Sequence, residues 1–238
     1  MGIKIVPLEW DSNYFGISCA RVEIEESQLK NNIKKMLNSI KKYDFISIIN
    51  HSTDVNNEMY LSMLSSAYIA DTNIQFYKDI DSNNIFDQIE ILHAANMYPY
   101  DATIVEMAGK IFYSSKYYSD KKLKKIGGKG VYAKLIENSF NKENNYFVVH
   151  KTKNISDGFV MFSVFEEVIK VILMGVSPKM QNKGIGGLLW HELEFFGKSN
   201  NLRGIKVGTQ LRNIAAMNFY SRNGCHITSA AHVYHLWK

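Results

Sequence analysis

Residues 171–187, V-I-L-M-G-V-S-P-K-M-Q-N-K-G-I-G-G, decide the fold of this 238-residue chain. The stretch begins with a run of apolar residues, which is typical of a buried strand. Pro178 ends the predicted strand, because proline has no N–H to donate to a sheet. Apolar residues at helical spacing then predict a helix, namely Ile185, Leu188, Leu189, Leu193 and Phe196. A glycine-rich turn between strand and helix leaves backbone N–H groups unpaired at the positive end of the helix, which suits a pyrophosphate.

The glycine turn, residues 181–187, was compared with three phosphate-binding patterns. The P-loop pattern is absent, because no Lys-Ser/Thr pair follows the glycines. The dinucleotide pattern G-x-G-x-x-G fails because Leu189 occupies its third glycine, and Thr209 stands where an acid is expected. The pattern [Q/R]-x-x-G-x-[G/A] fits at Gln181, Gly184 and Gly186. Glycines that only allow close packing are the alternative, and we predict that the turn binds phosphate.

The composition is that of a soluble globular protein, with 46% apolar and 21% charged residues. No apolar run is long enough to span a membrane, and the first residues lack a signal-peptide pattern, so we expect a cytoplasmic protein without a membrane partner. Cys19 and Cys225 lie far apart without metal or redox spacing, and no metal site is expected. The net charge of +5 allows nucleic-acid binding, but the basic residues are scattered, so no nucleic-acid partner is predicted. The sequence leaves monomer and homodimer open.

Alternating strand and helix patterns predict two units. In the first unit we predict strands at 3–9, 20–25, 45–50 and 74–78, helices at 29–40 and 57–66, and a polar-aromatic loop at 10–16. In the second unit we predict strands at 91–97, 146–150, 159–164, 168–176, 205–208 and 233–237, and helices at 101–111, 131–140, 185–196 and 213–222. The D-S-N-N segment at 81–84 is the best linker, which predicts domains over residues 1–86 and 87–238.

The second unit resembles the GCN5-related N-acetyltransferase (GNAT) superfamily. Two motifs carry the resemblance. The first is Gln181-x-x-Gly184-x-Gly186 after a strand. The second is Asn213-x-x-Ala216-x-x-x-Tyr220-x-x-x-Gly224, which is similar to the family's N-x-x-A-x-x-x-Y-x-x-x-G. The resemblance implies an α/β (α+β) fold whose central mixed, mostly antiparallel sheet is flanked by helices. It also implies direct attack of an amine on an acyl-CoA, with no acyl-enzyme.

Two looser similarities narrow the family. The segment Pro7-Leu8-x-Trp10-Asp11-Ser12-x-x-Phe15-Gly16 is similar to the start of the TDP-fucosamine N-acetyltransferases and related nucleotide-amino-sugar enzymes. S-K-Y-Y-S-D at 115–120 is similar to their S-R-F-H-x-D segment, with Lys for Arg and Tyr for Phe and His. Cys225 stands where an aromatic residue is usual. The resemblance implies a smaller N-terminal domain that is a partial GNAT fold and contributes to acceptor binding, and it implies a dTDP-linked amino sugar as acceptor.

The resemblance also implies roles in binding acyl-CoA. Pantetheine would pair with the backbone of Met174 and Val176. Gln181 and Ala216 would lie beside acyl-CoA, and the pyrophosphate would meet the amides of Asn182, Lys183, Gly184, Ile185, Gly186 and Gly187, with Lys183 or Lys179 adding charge. Asn213 would bond to the pantetheine arm, and Tyr220 would act as the general acid that protonates the leaving sulfur. Core packing beside Phe219 is the alternative for Tyr220.

Aromatic and acidic residues outside these motifs are the candidates for acceptor contacts, namely Trp10, Tyr14, Phe15, Tyr117 and Asp120. Core packing is the alternative for each aromatic residue. The general base is not evident, and Asp120, Glu166, Glu167 and His150 are candidates by residue type only. His191 and Glu192 do not form an H-E-x-x-H site, because Phe195 occupies the last position.

The sequence therefore predicts a CoA-dependent N-acyltransferase that acts on a dTDP-linked amino-dideoxy sugar for surface glycans such as O-antigen, lipopolysaccharide or capsule. The acyl group is acetyl or a longer one such as 3-hydroxybutyryl. Acetylation of a protein N-terminus or a polyamine is an alternative, although a polyamine site needs an acidic pocket. A non-catalytic acyl-CoA-binding module is another.

Overall fold

The computed structural model describes residues 2–80 and 93–238. The N-terminal segment contains strands β1 (Ile3–Pro7), β2 (Cys19–Ile24), β3 (Phe45–Asn50) and β4 (Tyr68–Asp79), and helices α1 (Glu9–Phe15), α2 (Lys30–Ser39) and α3 (Val55–Leu64). The C-terminal segment contains strands β5 (Ala95–Asn96), β6 (Tyr146–Thr152), β7 (Ile155–Phe165), β8 (Val168–Val176), β9 (Gly204–Gln210) and β10 (His226–Trp237). Its helices are α4 (Ala102–Ile111), α5 (Lys116–Ser119), α6 (Lys121–Lys125), α7 (Val131–Glu137), α8 (Ile185–Ser199) and α9 (Ile214–Arg222).

All ten strands form one sheet in the order β1-β2-β3-β10-β4-β9-β8-β7-β6-β5. Only the β2–β3 and β8–β9 pairs are parallel, and the other neighbours are antiparallel. The predicted mixed, mostly antiparallel sheet flanked by helices is therefore confirmed. The C-terminal strand β10 lies between β3 and β4, so the two segments share the sheet. The predicted linker at 81–84 and the boundary after residue 86 lie outside the described residues, and the division into two domains stays a prediction.

Helices cover both faces of the sheet around the parallel pair. On one face, Trp190 and Leu193 of α8 are buried with Tyr220 of α9 against β4, β7 and β9. On the other face, Ile104 of α4 and Ile136 of α7 are buried against β6, β7 and β8. The strands of the N-terminal half pack mainly against α2 and α3.

The prediction of a loop at residues 10–16 is wrong, because this segment is helix α1. Ser12 donates both its N–H and its hydroxyl to the carbonyl of Leu8, which fixes the first turn. The helix ends at Gly16, whose φ of 68° is a left-handed conformation that glycine adopts without strain. Phe15 is buried against Phe45 and Leu123, so tertiary packing stabilises a helix that lacks a long apolar pattern.

Strand β4 begins six residues earlier than the predicted strand at 74–78. Its first half carries polar side chains at Asp71 and Asn73, which broke the apolar pattern on which the prediction depended. The predicted strand at 91–97 is a strand only at Ala95–Asn96 within the described part of the chain. The predicted bounds of β3 and β8 are those of the structure, because both strands are apolar runs that stop at turn residues.

Candidate functional site

Strands β8 and β9 separate halfway along their length. The parallel ladder pairs Val168 with Gly204 and ends at the pair Val171 and Val207. Both strands continue beyond that pair, and the space between them opens into a cleft of about 510 Å³, called here the β8–β9 cleft. Residues 171–176 of β8, 207–210 of β9 and the start of α9 line this cleft.

The backbone of β8 offers hydrogen-bonding groups to the cleft at Met174 and Val176. Ser177 donates its N–H to the carbonyl of Asp157 on the β7 side at 2.8 Å. In an antiparallel ladder, residues directed toward the partner strand alternate with residues directed away from it. The register of β7 and β8 is unbroken from Leu173 to Val176, and it therefore directs the N–H and C=O groups of Met174 and Val176 away from β7 and toward the cleft. The side-chain amide of Gln181 donates to the Val176 carbonyl at 3.1 Å, which agrees with this orientation.

The glycine turn leads from the end of β8 into α8. Asn182 and Gly184 have left-handed φ values of 62° and 83°. Helix α8 begins at Ile185, and Gly184 at its N-cap provides no side-chain cap for the first N–H groups. These amides therefore remain for a ligand or water, as the first amides of any helix lack an intrahelical partner. Gln181 lines the β8–β9 cleft, whereas residues 182–187 lie outside its lining.

The second motif contributes Asn213, Ala216 and Tyr220, and all three line the cleft. Asn213 is the N-cap of α9, and its side-chain oxygen accepts the N–H of Ala216 at 3.2 Å. The amide NH₂ group of Asn213 is the part that remains for a ligand, because the oxygen already stabilises the helix.

The Tyr220 ring is buried among aromatic side chains, and its hydroxyl makes no hydrogen bond within residues 2–80 and 93–238. The ring centroid lies 5.5 Å from Phe76 and 5.7 Å from Trp190. Burial raises the pKa of Tyr220, and the nearby Cys225 thiol raises it further, so the phenol keeps its proton at neutral pH. A protonated phenol that lines the cleft can donate to a developing thiolate. Burial also raises the pKa of Cys225 to about 11, so this cysteine is not an activated nucleophile.

The remaining wall of the cleft is uncharged and combines polar side chains with Ile111 and Phe112. It includes Asn73 and Gln75 from β4, Ser114 and Ser115 before α5, and Tyr132 from α7. None of the residues found to line the cleft, all from the described ranges, is Asp, Glu, Lys, Arg or His. Such a wall offers hydrogen bonds to hydroxyl and amide groups without attracting a polycation.

The β4 contribution to this wall was not predicted from the sequence. Asp71, Asn73 and Gln75 alternate along β4, while Ile74 and Phe76 face the core on the other side. That alternation of polar and apolar residues is a strand signal that a search for apolar runs does not detect.

A buried carboxylate, Asp71, lies two residues before Asn73 on the same side of β4 and is 4% exposed. Burial raises the pKa of Asp71, whereas the Thr72 N–H, Arg212 and Lys116 oppose this shift. Tyr132, which lines the cleft, has a pKa raised to about 12, mainly by burial and in small part by Asp71.

The five residues expected to contact the acceptor do not line the cleft. Trp10 and Tyr14 stack with ring centroids 5.1 Å apart, and the Tyr14 hydroxyl donates to the Gly127 carbonyl at 2.9 Å. Phe15 is in the core, and the Tyr117 hydroxyl lies 3.5 Å from a carboxylate oxygen of Asp11. The cleft therefore collects six of the acyl-CoA candidates, namely Met174, Val176, Gln181, Asn213, Ala216 and Tyr220, and none of the acceptor candidates. The roles of both groups stay predictions.

Asp120 is buried and accepts five hydrogen bonds. One carboxylate oxygen accepts from the Tyr68 hydroxyl at 2.7 Å, the His235 ring at 2.7 Å and the Trp237 indole at 3.0 Å. The other oxygen caps α6 through the N–H groups of Lys122 and Leu123. Burial alone would raise the pKa of Asp120, but these hydrogen bonds hold it well below its usual range.

The other candidate bases also lie away from the cleft. Glu166 and Glu167 form the turn before β8, so they lie at the beginning of this strand, whereas Val176 lies at its end. Glu167 forms an ion pair with Arg203 at 3.0 Å. The His150 ring lies 2.5 Å from a carboxylate oxygen of Asp157. No candidate for the general base, Asp120 included, is among the residues that line the cleft.

The described residues hold no group of three or more His, Cys, Asp or Glu side chains that could bind a metal ion. None of the helices in these ranges is both long enough and apolar enough to cross a membrane.

Comparison with solved structures defines the class of fold. The chain is similar to a GCN5-related N-acetyltransferase from Sphaerobacter thermophilus, with a TM-score of 0.64 and 10% identity over 99% of this chain and 76% of that one. It is also similar to a tandem GNAT protein from the clavulanic acid biosynthesis pathway, with a TM-score of 0.58 and 8% identity over 99% of this chain and 98% of that one. The fold is that of the GNAT acetyltransferases.

Residues 115–225, which include the glycine turn and the second motif, match the Acetyltransferase (GNAT) family. This chain therefore contains, over 111 of its 238 residues, a match to the GNAT acetyltransferases, a family that uses acyl-CoA. It is 25% identical over 134 residues to the spore coat polysaccharide biosynthesis protein SpsD of Bacillus subtilis. That match covers 56% of this chain and 46% of SpsD, so the chain spans about half the length of this curated relative.

Proposed function

We propose that this protein transfers an acyl group from acyl-CoA to the amine of a nucleotide-linked amino sugar in the synthesis of a surface glycan. The observation that carries the proposal is the β8–β9 cleft, whose lining among the described residues includes Gln181 of the glycine turn and only uncharged side chains. The match of residues 115–225 to the GNAT family supports acyl transfer from CoA. The similarity to a protein named for polysaccharide biosynthesis supports a sugar acceptor.

Acyl-CoA would enter the cleft from the glycine turn. The amides of residues 182–187 would bind its pyrophosphate, and the cleft-facing groups of Met174 and Val176 would pair with its pantetheine arm. The amide NH₂ of Asn213 would donate to the same arm. A backbone N–H of β8 would stabilise the oxyanion that forms on the thioester carbonyl.

The acceptor amine would attack the thioester carbon directly. The C–N bond forms, the C–S bond breaks, and Tyr220 donates its proton to the departing sulfur. The proton that the amine nitrogen loses passes to solvent, and the Tyr220 phenolate takes up a proton from solvent to complete the cycle. The raised pKa of Tyr220 keeps its hydroxyl protonated at neutral pH, so the proton is present when the sulfur departs. The buried, weakly acidic thiol of Cys225 takes no part in this path.

The uncharged wall favours a sugar over a polyamine, because a polyamine needs carboxylates around its ammonium groups. The test measures thiol release with acetyl-CoA and 3-hydroxybutyryl-CoA against dTDP-3-amino and dTDP-4-amino sugars, with spermidine and a peptide as comparison acceptors. We expect turnover with a dTDP-amino sugar alone. Turnover only with spermidine or the peptide would contradict the proposed acceptor and leave the acyl transfer in place.

A further inference from the structure

A second concavity of about 520 Å³ lies outside the β8–β9 cleft. It is called here the Trp237 depression, and it is lined by Ser66, Tyr68, Ser119, Asp120, Lys121, Lys122 and Trp237. Ser66 and Trp237 are distant in the sequence, and β10 and the α5–α6 segment bring the lining residues together. The depression shares no residue with the lining of the cleft.

Helix α5 connects the two cavities. Ser115 at its N-cap lines the cleft, and Ser119 at its last position lines the Trp237 depression. At a rise of about 1.5 Å per residue, these two serines are separated by about 6 Å along the helix axis. A single extended ligand could therefore reach both cavities.

Strand β4 connects the cavities along the sheet. Tyr68 of the depression is the cross-strand partner of His235, and Asn73 of the cleft is the partner of Ala231. Side chains alternate along a strand, so positions 231 and 235 of β10 point to the same face. The irregularity of the β4–β10 pairing in this stretch lies in β4, at Ala70, and leaves the alternation along β10 unchanged. Tyr68 and Asn73 consequently share one face, about 13 Å apart along the strand, which is the rise over the four residues from Ala231 to His235.

Asp120 holds the floor of the depression in place. Its hydrogen bonds from Tyr68 and Trp237 fix both aromatic side chains, and a third bond comes from His235, which is completely buried. The Trp237 ring packs against Phe45 with centroids 4.8 Å apart. Hydrogen bonds and ring packing therefore hold both aromatic side chains in place without a ligand.

Lysines surround this surface. The Lys122 ammonium lies 5.0 Å from the centre of the Trp237 ring, and Lys121 lines the depression beside it. Lys124 and Lys129 lie 4.5 Å and 5.9 Å from the Tyr118 ring on the adjacent surface. Among the described residues that line the depression, Asp120 is the one carboxylate, and its five hydrogen bonds already occupy both of its oxygens. Aromatic rings, hydroxyls and exposed ammonium groups together suit a ligand that is both aromatic and anionic.

We propose that the Trp237 depression binds the nucleoside diphosphate end of the acceptor while the β8–β9 cleft receives its amino sugar. This inference rests on the proposed function, and it explains how an uncharged cleft could serve an anionic acceptor. The diphosphate meets Lys121 and Lys122, and the base lies against the aromatic surface of Tyr68 and Trp237. Five residues of β4 and one turn of α5 separate the two ends of the ligand.

The test is calorimetric titration of the full chain, saturated with CoA, with thymidine diphosphate and with inorganic pyrophosphate. CoA blocks the glycine turn, which would otherwise bind the same probes. We expect thymidine diphosphate to bind more tightly than pyrophosphate. The double variant Lys121→Glu/Lys122→Glu should weaken its binding at least tenfold and leave CoA affinity unchanged.

Lys170→Glu is the matched control, because Lys170 is an exposed lysine on an aromatic ring, 4.0 Å from the centre of Phe165. Thymidine diphosphate should bind this control as it binds the parent. Equal weakening in the control and the double variant, binding no tighter than pyrophosphate, or no binding at all would each overturn the inference.

The acylation assay separates this inference from the proposed function. Transfer to a dTDP-amino sugar with an unchanged KM in the double variant would overturn the depression as nucleotide site and leave the reaction standing. Binding of thymidine diphosphate without transfer to any amino sugar would keep the site and contradict the reaction.

Discussion

Tyr220→Phe should reduce turnover without disturbing the fold. The substitution removes one hydroxyl that lines the β8–β9 cleft and keeps the ring between Phe76 and Trp190. The hydroxyl has no hydrogen-bond partner in the described parts of the chain, so we expect the free energy of unfolding to change by less than about 1 kcal/mol. Loss of general-acid catalysis lowers rates by roughly 10² or more. That factor corresponds to about 2.7 kcal/mol of transition-state stabilisation.

The assay is steady-state thiol release with saturating acyl-CoA and amino-sugar acceptor, together with calorimetric titration of CoA. We expect kcat to fall by about 10² and the Kd for CoA to stay the same, because the lost interaction forms only as the C–S bond breaks.

Tyr234→Phe is the matched control. Tyr234 is buried to a similar extent, 4% exposed against 7% for Tyr220, but it belongs to the core formed with α2 and α3. The kcat of Tyr234→Phe should stay within about twofold of that of the parent, because Tyr234 does not line the β8–β9 cleft. Unchanged turnover in Tyr220→Phe, or an equal loss in both variants, would refute the role of Tyr220 as proton donor.

Three further predictions concern the glycine turn, Asp120 and the donor site. Gly184→Ala places a side chain at a φ of 83°, so it should lower the free energy of unfolding by about 1 kcal/mol and weaken CoA binding in calorimetry. The control is Gly109→Ala within helix α4, which should instead raise the free energy of unfolding by up to about 1 kcal/mol. Asp120→Asn should lower the free energy of unfolding by about 3 kcal/mol at pH 7, as measured in urea, because an amide cannot accept all the hydrogen bonds that the carboxylate accepts. CoA at about 100 times its Kd should raise the free energy of unfolding by about 2.7 kcal/mol, and no shift in thermal unfolding would contradict the donor site.

Asp120 should also make stability depend on pH. Its folded pKa is lower than its unfolded value, so the unfolded chain binds more protons as the pH falls. Its contribution is present above about pH 4, the ordinary pKa of aspartate, and is lost as the pH falls toward the folded value. The free energies of unfolding of the parent and Asp120→Asn, measured in urea, should therefore converge as the pH falls below about 4. A difference that stays constant down to acid pH would contradict the lowered pKa of Asp120 as the source of its stabilisation.

Local patterns predicted the elements that are apolar and continuous. β8 and the glycine turn were correct because an apolar strand followed by proline and glycines has few alternatives. Helix α1 was missed, because burial of Phe15 against residues far along the chain stabilises it. The β4 side of the cleft was missed because Asp71 and Asn73 are polar where a core strand was expected.

The partners of Asp120 could not be predicted from local sequence. Tyr68, His235 and Trp237 are separated from it by 52 to 117 positions, and only the placement of β10 beside β4 brings them together. Asp120 was expected at the acceptor, and the structure places it under the Trp237 depression, where it orients aromatic side chains.

The most direct test of direct transfer is a single-turnover experiment with acetyl-CoA labelled in the acetyl group and a dTDP-amino sugar. We predict that the label moves to the sugar nitrogen at the rate of thiol release and that no labelled protein accumulates. Labelled protein that precedes the product would contradict direct attack. Thiol release without labelled sugar would contradict the amino sugar as acceptor.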